Sequence, residues 1–193
     1  MNELSDKEML RYSRHILLKE VGLAGQLKLK SASVAVVGAG GLGSPALLYL
    51  AAAGIGKLIL IDDDAVELSN LQRQVLYKVN HLGQKKVVAA GKVLASLNNQ
   101  ITVITHAKKL TQDNSAALLN NADIVLDCSD NFTTRYSVNR FCVQHKTPLI
   151  SGAALATKGQ LISLDLRNAN SPCYGCIFPQ SDIAPLINCD NAG

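Results

Sequence analysis

Gly38, Gly40 and Gly43 stand in the spacing G-x-G-x-x-G, with Gly41 a fourth glycine among them, directly after the apolar β-branched run Ser33 to Val37. Glycines so spaced let a chain turn tightly, bring backbone N–H groups against a phosphate and let the next helix lean on a sheet. About 20 residues further on, the run Lys57 to Ile61 ends on Asp62, where such sites set an acid against a ribose hydroxyl. The chemistry these residues could do is to hold a nucleotide. Asp63 and Asp64 follow, and then Ser69, Asn70, Leu71, Gln72, Arg73 and Gln74 cluster hydrogen-bonding groups and one cation ahead of the apolar Val75, Leu76 and Tyr77. Lys85 and Lys86 open a helical pattern, a place where the helix dipole disfavours positive charge and a bound anion would offset the cost. The run Ala122 to Cys128 delivers Ser129, Asp130 and Asn131 to the same edge as Asp62. A carboxylate beside a phosphate site is a natural Mg²⁺ ligand, because Mg²⁺ takes oxygen donors shared with substrate phosphates. Plainer readings stand beside these: a glycine turn without ligand, a surface loop of mixed polarity, exposed lysines, and Asp130 as the N-cap of the following helix.

The elements that must position these groups alternate between strand and helix. Ser44 is expected as N-cap and Pro45 as the first residue of a helix that stops near Gly54. Further helices are expected over 81–97, 113–120 and 133–145, and further strands over 101–105, 122–128, 147–151 and 159–165. This succession predicts an α/β fold, a Rossmann-like doubly wound and mainly parallel sheet with right-handed crossovers. Ahead of it lies a helical N-terminal extension. Ser5 and Glu8 have the spacing of a capping box, and Met9, Leu10, Tyr12, Ile16 and Leu17 recur with helical period. The same helix carries Arg11, Arg14 and His15, which alone reads as a solvated basic face, and a short helix over 26–30 leads into the first strand. The expected organisation is one domain: an arm over 1–30, a nucleotide-binding core over 31–166 and a cysteine-containing tail over 167–193.

Composition limits the alternatives. A chain of 193 residues with 48% hydrophobic and 18% charged residues is that of a globular domain able to bury its own core. The net charge of +4 is scattered, without the clustered cations and stacking aromatics of a nucleic-acid protein. Ser31 to Gly56 lacks charge, but the glycines in its first half and Pro45 beside them argue against a membrane helix. The N-terminus has no basic-then-apolar signal, and the five cysteines form no regular framework, so a reducing cytoplasm is expected. Cys173 and Cys176 form a C-x-x-C pair with Cys189 beyond. Tetrahedral zinc needs two ligands more than the pair, and on spacing alone the pair is open to metal, redox or no role.

Taken together, G-A-G-G-L-G-S-P, L-I-D-D-D, S-N-L-Q-R-Q, the Lys86 helix, D-C-S-D-N and C-Y-G-C resemble the adenylyltransferases that activate ubiquitin-like sulfur carriers. These are the molybdopterin-synthase and thiazole-biosynthesis activating enzymes, related to the ubiquitin-activating enzymes. The resemblance runs from about Arg11 to the last residue. It implies that Gly38, Gly40, Gly41 and Gly43 form the ATP turn, that Asp62 binds ribose, and that Ser69, Asn70, Leu71, Gln72, Arg73 and Lys86 surround the phosphates. Asp130 would hold Mg²⁺, helped by Asn131. Arg14, in R-Y-S-R-H, would reach into the site of a neighbouring subunit, which makes a homodimer the expected assembly. The implied reaction joins the C-terminal glycine of a Gly-Gly-ended carrier to AMP and releases pyrophosphate.

In that family the pattern continues beyond N-A-G and includes a second C-x-x-C, so Cys173 and Cys176 are here half of a Zn²⁺ site in a chain that reads as C-terminally shortened. Cys189 matches a cysteine linked to sulfur transfer in thiazole-type members, although only Asp190 adjoins it and nothing nearby would activate a thiolate. Two other readings are carried forward: an NAD-dependent oxidoreductase, which shares the glycine turn and Asp62, and a domain that binds nucleotide or carrier without turnover. The thiazole and molybdopterin branches share every motif quoted.

Overall fold

The computed structural model of the chain describes residues 3–180. Six strands form one sheet: β1 (Ser33–Val37), β2 (Lys57–Ile61), β3 (Thr102–His106), β4 (Ile124–Asp127), β5 (Leu149–Leu155) and β6 (Lys158–Leu164). Their order across the sheet is β3-β2-β1-β4-β5-β6, with every neighbouring pair parallel except the last. Only Ala156 and Thr157 separate β5 from β6, and a link that short can join strands only as an antiparallel hairpin. Ala156 accommodates it with a φ of 50°.

Strand periodicity divides the core between the two faces. Val34, Val36, Leu58 and Leu60 point to one side, where α4 (Gly43–Ala53) and α5 (Lys86–Leu97) cover them with Leu47, Ala51, Val87, Ala90 and Leu94. Ala35, Val37, Ile59 and Ile61 point to the other, where α6 (Gln112–Leu119) and α7 (Phe132–His145) supply Leu118, Leu119, Val138, Phe141 and Cys142. Burying each large aliphatic side chain contributes about 2 kcal/mol, so a strand as wholly buried as β1 is held by both layers. β1 lies between β2 and β4, and the strand order therefore reverses there. The crevice that opens at such a reversal, at the C-terminal ends of the strands, is where open α/β sheets bind ligands.

Three local outcomes differ from the sequence expectation. α4 begins at Gly43, so Ser44 is its second residue and not its cap. The Ser44 hydroxyl instead accepts from the Leu76 backbone N–H at 2.8 Å, a buried bond across 32 residues. Asn131, not Asp130, caps α7, its side-chain oxygen accepting from Thr134 N–H at 2.9 Å. The N-terminal helix forms its capping box but breaks at Tyr12 into α1 (Asp6–Arg11) and α2 (Ser13–Ile16), ahead of α3 (Gly22–Ser31). Tyr12 is drawn inward, where it packs on Gly54 and its hydroxyl accepts from Asn98 Nδ2 at 2.8 Å. Leu10 and Leu17 are left 79% and 74% exposed, so helical spacing did not mark a buried face here. Removing the Ser44 hydroxyl would strand the buried Leu76 N–H. Ser44→Ala is therefore expected to lower unfolding stability by about 1–3 kcal/mol in urea titration.

Candidate nucleotide-binding site

The glycine turn lies at the mouth of the crevice between β1 and β4. Two of its glycines are required by the protein's own packing. Gly38 has a φ of 90°, and a Cβ there would stand 2.7 Å from the Cys128 carbonyl; one on Gly43 would stand 1.9 Å from the Gly38 carbonyl. Gly40 and Gly41 are different. A Cβ on either would meet its nearest neighbour at an ordinary 3.6–3.7 Å. The fold's own packing does not require glycine at either position; the Gly40 carbonyl accepts from Ser44 N–H at 2.8 Å, and the space a side chain would fill is free for close approach of a ligand.

Asp62, at the end of β2, faces this turn. Its Oδ2 accepts from Ala39 N–H at 2.8 Å and its Oδ1 from Asp64 N–H at 2.9 Å. Burial pushes its carboxyl above the ordinary range, and the Ala39 amide and the Lys86 charge only partly reverse that. Lys86 is the first residue of α5 and is 5% exposed. It is held from both ends: its backbone N–H donates to the Asp64 carbonyl and its ammonium pairs with Asp64 Oδ2 at 2.7 Å. Asp64 is largely exposed and can turn to solvent, so the ammonium is a buried cation that a stronger anion could claim.

The segment after Asp64 folds back over the turn. Tyr77 donates its hydroxyl to the Ala39 carbonyl at 2.8 Å, and Leu76 is tied to Ser44 as described. Ser69 and Asn70 lie in a single 3-10 turn, with Leu71 and Gln72 following it. Arg73 runs its stem along Gly41, and its guanidinium, largely in solvent, makes long bonds of 3.3–3.4 Å to Ser69 O, Asn70 Oδ1 and Gln72 Oε1. Across the crevice, Asp130 is exposed just after β4, its Oδ1 3.4 Å from Asn131 Nδ2. The geometry thus gathers Gly40, Gly41, Asp62, Arg73, Lys86, Asp130 and Asn131 at one sheet edge.

Beneath Asp130 lies a polar core that sequence reasoning missed. Arg135 on α7 is 6% exposed and donates to Ser151 Oγ at 3.0 Å, to the carbonyls of Ser129 and Gly152, and at 3.4 Å to Asp127, itself 1% exposed. Ser129 N–H and Oγ and Ser151 Oγ fill the remaining acceptor positions of Asp127. A satisfied buried ion pair of this kind costs most when one partner is removed. Its place here is to fix the turn that presents Asp130. The available signal was a lone acid ending an apolar strand eight residues before an arginine. Cys128 in the same turn is inert, its thiol pushed up to about 12 by burial and by Asp127.

Arg14 is exposed on α2, and no hydrogen bond or ion pair among the described residues ties it to the site. Cys173 caps α8 (Tyr174–Ile177) and Cys176 is its third residue; their sulfurs lie 3.4 Å apart, within hydrogen-bond reach. Burial pushes the Cys173 thiol up, but hydrogen bonds from Asn139 Nδ2, Cys176 and the backbone outweigh it and hold the thiol below its ordinary value. Among the described residues no group of three or more potential ligands is assembled. Cys189 lies outside the described residues. No helix among the described residues is long and apolar enough to cross a membrane.

Comparison with known proteins agrees with this geometry. The chain is 47% identical to adenylyltransferase and sulfurtransferase MOCS3 of Aedes aegypti, over 100% of this chain and 44% of that protein. With the Sus scrofa protein of the same name the identity is also 47%, over 98% and 42%. The chain therefore spans under half the length of these relatives. Among solved structures, Escherichia coli MccB with ATP superposes with a TM-score of 0.73 at 32% identity, covering 86% of this chain and 50% of that one. E. coli tRNA N6-threonylcarbamoyladenosine dehydratase TcdA with ATP gives 0.75 at 28% identity, covering 80% and 63%. The ThiF family model matches residues 12–193. A Rossmann-like sheet, a glycine turn with two glycines that packing does not require and this pattern of relatives have one common account: the chain belongs to the ThiF family.

Proposed function

We propose that the chain binds ATP and adenylylates the C-terminal glycine of a ubiquitin-like sulfur-carrier protein of the thiazole or molybdopterin type. The observation that carries this reading is the convergence of Gly40, Gly41, Asp62, Arg73, Lys86 and Asp130 at the strand-order reversal. The glycine turn cradles the phosphates and Asp62 takes the ribose. A carboxylate oxygen of the carrier's terminal glycine attacks the α-phosphorus, forming the acyl-phosphate bond as the bond to the β-phosphate oxygen breaks. Negative charge grows on the departing pyrophosphate. Lys86, already desolvated, and Arg73, held by long bonds that are easily exchanged, meet that charge in place. Mg²⁺, when bound, neutralises triphosphate charge, and Asp130 with Asn131 beside it would hold it. Cys173 and Cys176 would provide two thiolates to a structural Zn²⁺.

An NAD-dependent oxidoreductase reading is not favoured, because a dinucleotide does not need Arg73, Lys86 and a metal-binding Asp130 at its phosphate end. ATP with Mg²⁺ is expected to raise the thermal midpoint, and NAD to leave it unchanged. The test of the reaction is mass spectrometry of the carrier after incubation with the protein, ATP and Mg²⁺. Gain of one AMP by the carrier supports the reading; ATP binding with an unmodified carrier would leave a binding domain only.

A homodimer completes the proposed site. Arg14 and the apolar Leu10 and Leu17 are exposed on the arm, whose docking through Tyr12 leaves them outward. If Arg14 acts in the partner's site, mixing Arg14→Ala with Asp130→Ala subunits should restore up to about a quarter of the activity that each variant alone lacks, since a mixed dimer keeps one intact site. No recovery, with mixed dimers confirmed by native mass spectrometry, would place the site within one chain.

A further inference from the structure

We propose that Gln74 is a positioning residue of this site, whose side-chain oxygen accepts a hydrogen bond from a water that bridges it to the nucleotide's polyphosphate; the inference rests on the ATP reading above. Gln74 is 3% exposed, and its Oε1 has no hydrogen-bond partner among the described residues, alone among their buried side-chain polar atoms. Its Nε2 donates to Asn70 Oδ1 at 2.9 Å and lies 3.7 Å from where a Cβ on Gly40 would stand. The carboxamide is therefore laid against the part of the glycine turn where packing does not require a glycine.

The orientation of the amide follows from its neighbours. Asn70 Oδ1 also accepts from Arg73 at 3.3 Å, and Asn70 Nδ2 faces Glu67 Oε2 at 3.4 Å and Ser69 Oγ at 3.5 Å. Gln74 must then offer Asn70 its nitrogen, and the oxygen is the atom left over. It cannot readily swing out to solvent, because Leu76 and Tyr77 are fastened to Ser44 and Ala39 just beyond it. Buried acceptors without donors are rare and costly, and one retained beside a ligand turn points to a donor that comes with the ligand. A phosphate oxygen is itself only an acceptor. Joining it to Gln74 Oε1 requires a group with two donor hydrogens; the Arg73 and Lys86 cations are paired with Ser69, Asn70, Gln72 and Asp64, and the bridging group proposed is water, either free or in the shell of a bound metal ion. Through Nε2 the same side chain braces Asn70 and with it the Arg73 guanidinium.

The test is Gln74→Met, which keeps length and apolar bulk and removes both polar atoms. Because it also removes the unpaired acceptor, the nucleotide-free variant is expected to melt within about 2 °C of the unaltered protein, or above it. Calorimetric titration should show ATP with Mg²⁺ binding at least about tenfold more weakly, while AMP, which lacks the β- and γ-phosphates, changes less than about twofold. Repeating the ATP titration in EDTA separates the sources of the water: a loss confined to Mg²⁺ assigns it to the metal's shell, and a loss in both conditions assigns it to solvent. Equal weakening of ATP and AMP, or unchanged ATP binding, would overturn the proposal. Failure of the unaltered protein to bind ATP at all would instead overturn the ATP reading.

Discussion

Lys86→Ala is expected to lower carrier adenylylation by at least about 10²-fold, roughly 3 kcal/mol of transition-state stabilisation, while leaving the fold intact. The asymmetry follows from its pairing. Lys86 is buried, but its partner Asp64 is 63% exposed, so removing the cation leaves behind a carboxylate that water can take over. The usual penalty for breaking a buried ion pair arises from an uncompensated buried charge; Asp64 leaves none, and Asp62, which also feels the Lys86 charge, keeps its hydrogen bonds from Ala39 and Asp64 N–H. The Ala side chain keeps the first turn of α5, and the backbone bond from residue 86 to the Asp64 carbonyl persists. Initial rates of AMP transfer and thermal melts of the same preparation check both halves. A rate within threefold of the unaltered protein would remove Lys86 from the reaction.

Asp130→Ala is expected to abolish Mg²⁺-dependent turnover, again by about 10²-fold or more, with a stability change within about 0.5 kcal/mol. Among the described residues the exposed side chain of Asp130 has one long hydrogen bond, from Asn131, and it does not cap α7. Asn131→Ala reverses the emphasis, since it removes the bond to Thr134 N–H and should cost about 1 kcal/mol of stability. Rates at several Mg²⁺ concentrations, with urea unfolding of both variants, separate the two neighbours. If Asp130→Ala loses stability and Asn131→Ala does not, the assignment of cap and metal ligand is inverted.

The glycine turn, Asp62, the polar run to Arg73, Lys86 and the β4 end were legible because each depends on short-range spacing within one or two elements. Strand–turn–helix geometry carries residues at that spacing to one edge whatever the rest of the chain does. What escaped was set by contacts distant in sequence. Ser44 reads as a helix cap, but its hydroxyl is claimed by Leu76, 32 residues on, and the helix starts earlier. Tyr12 reads as one of a helical apolar set, yet contact with Gly54 and Asn98 draws it inward and breaks the helix, leaving Leu10 and Leu17 in solvent. The antiparallel β6 follows from a two-residue link that α/β alternation does not foresee. Asp130 and Asn131 are adjacent and both are good caps, so composition alone could not divide their roles. The Arg135–Asp127 pair was hidden because the spacing within α7 does not tell which of its residues face β4 until that strand is placed beneath it.

Carrier adenylylation at this sheet edge is measured by exchange of labelled pyrophosphate into ATP. The protein is incubated with Mg²⁺ and, in turn, each candidate carrier ending in Gly-Gly. Exchange is expected to require one carrier and its terminal glycine, and to disappear in Lys86→Ala and Asp130→Ala. Exchange without a carrier, or its persistence in both variants, would contradict it, as would the absence of exchange with every carrier under conditions where ATP is bound.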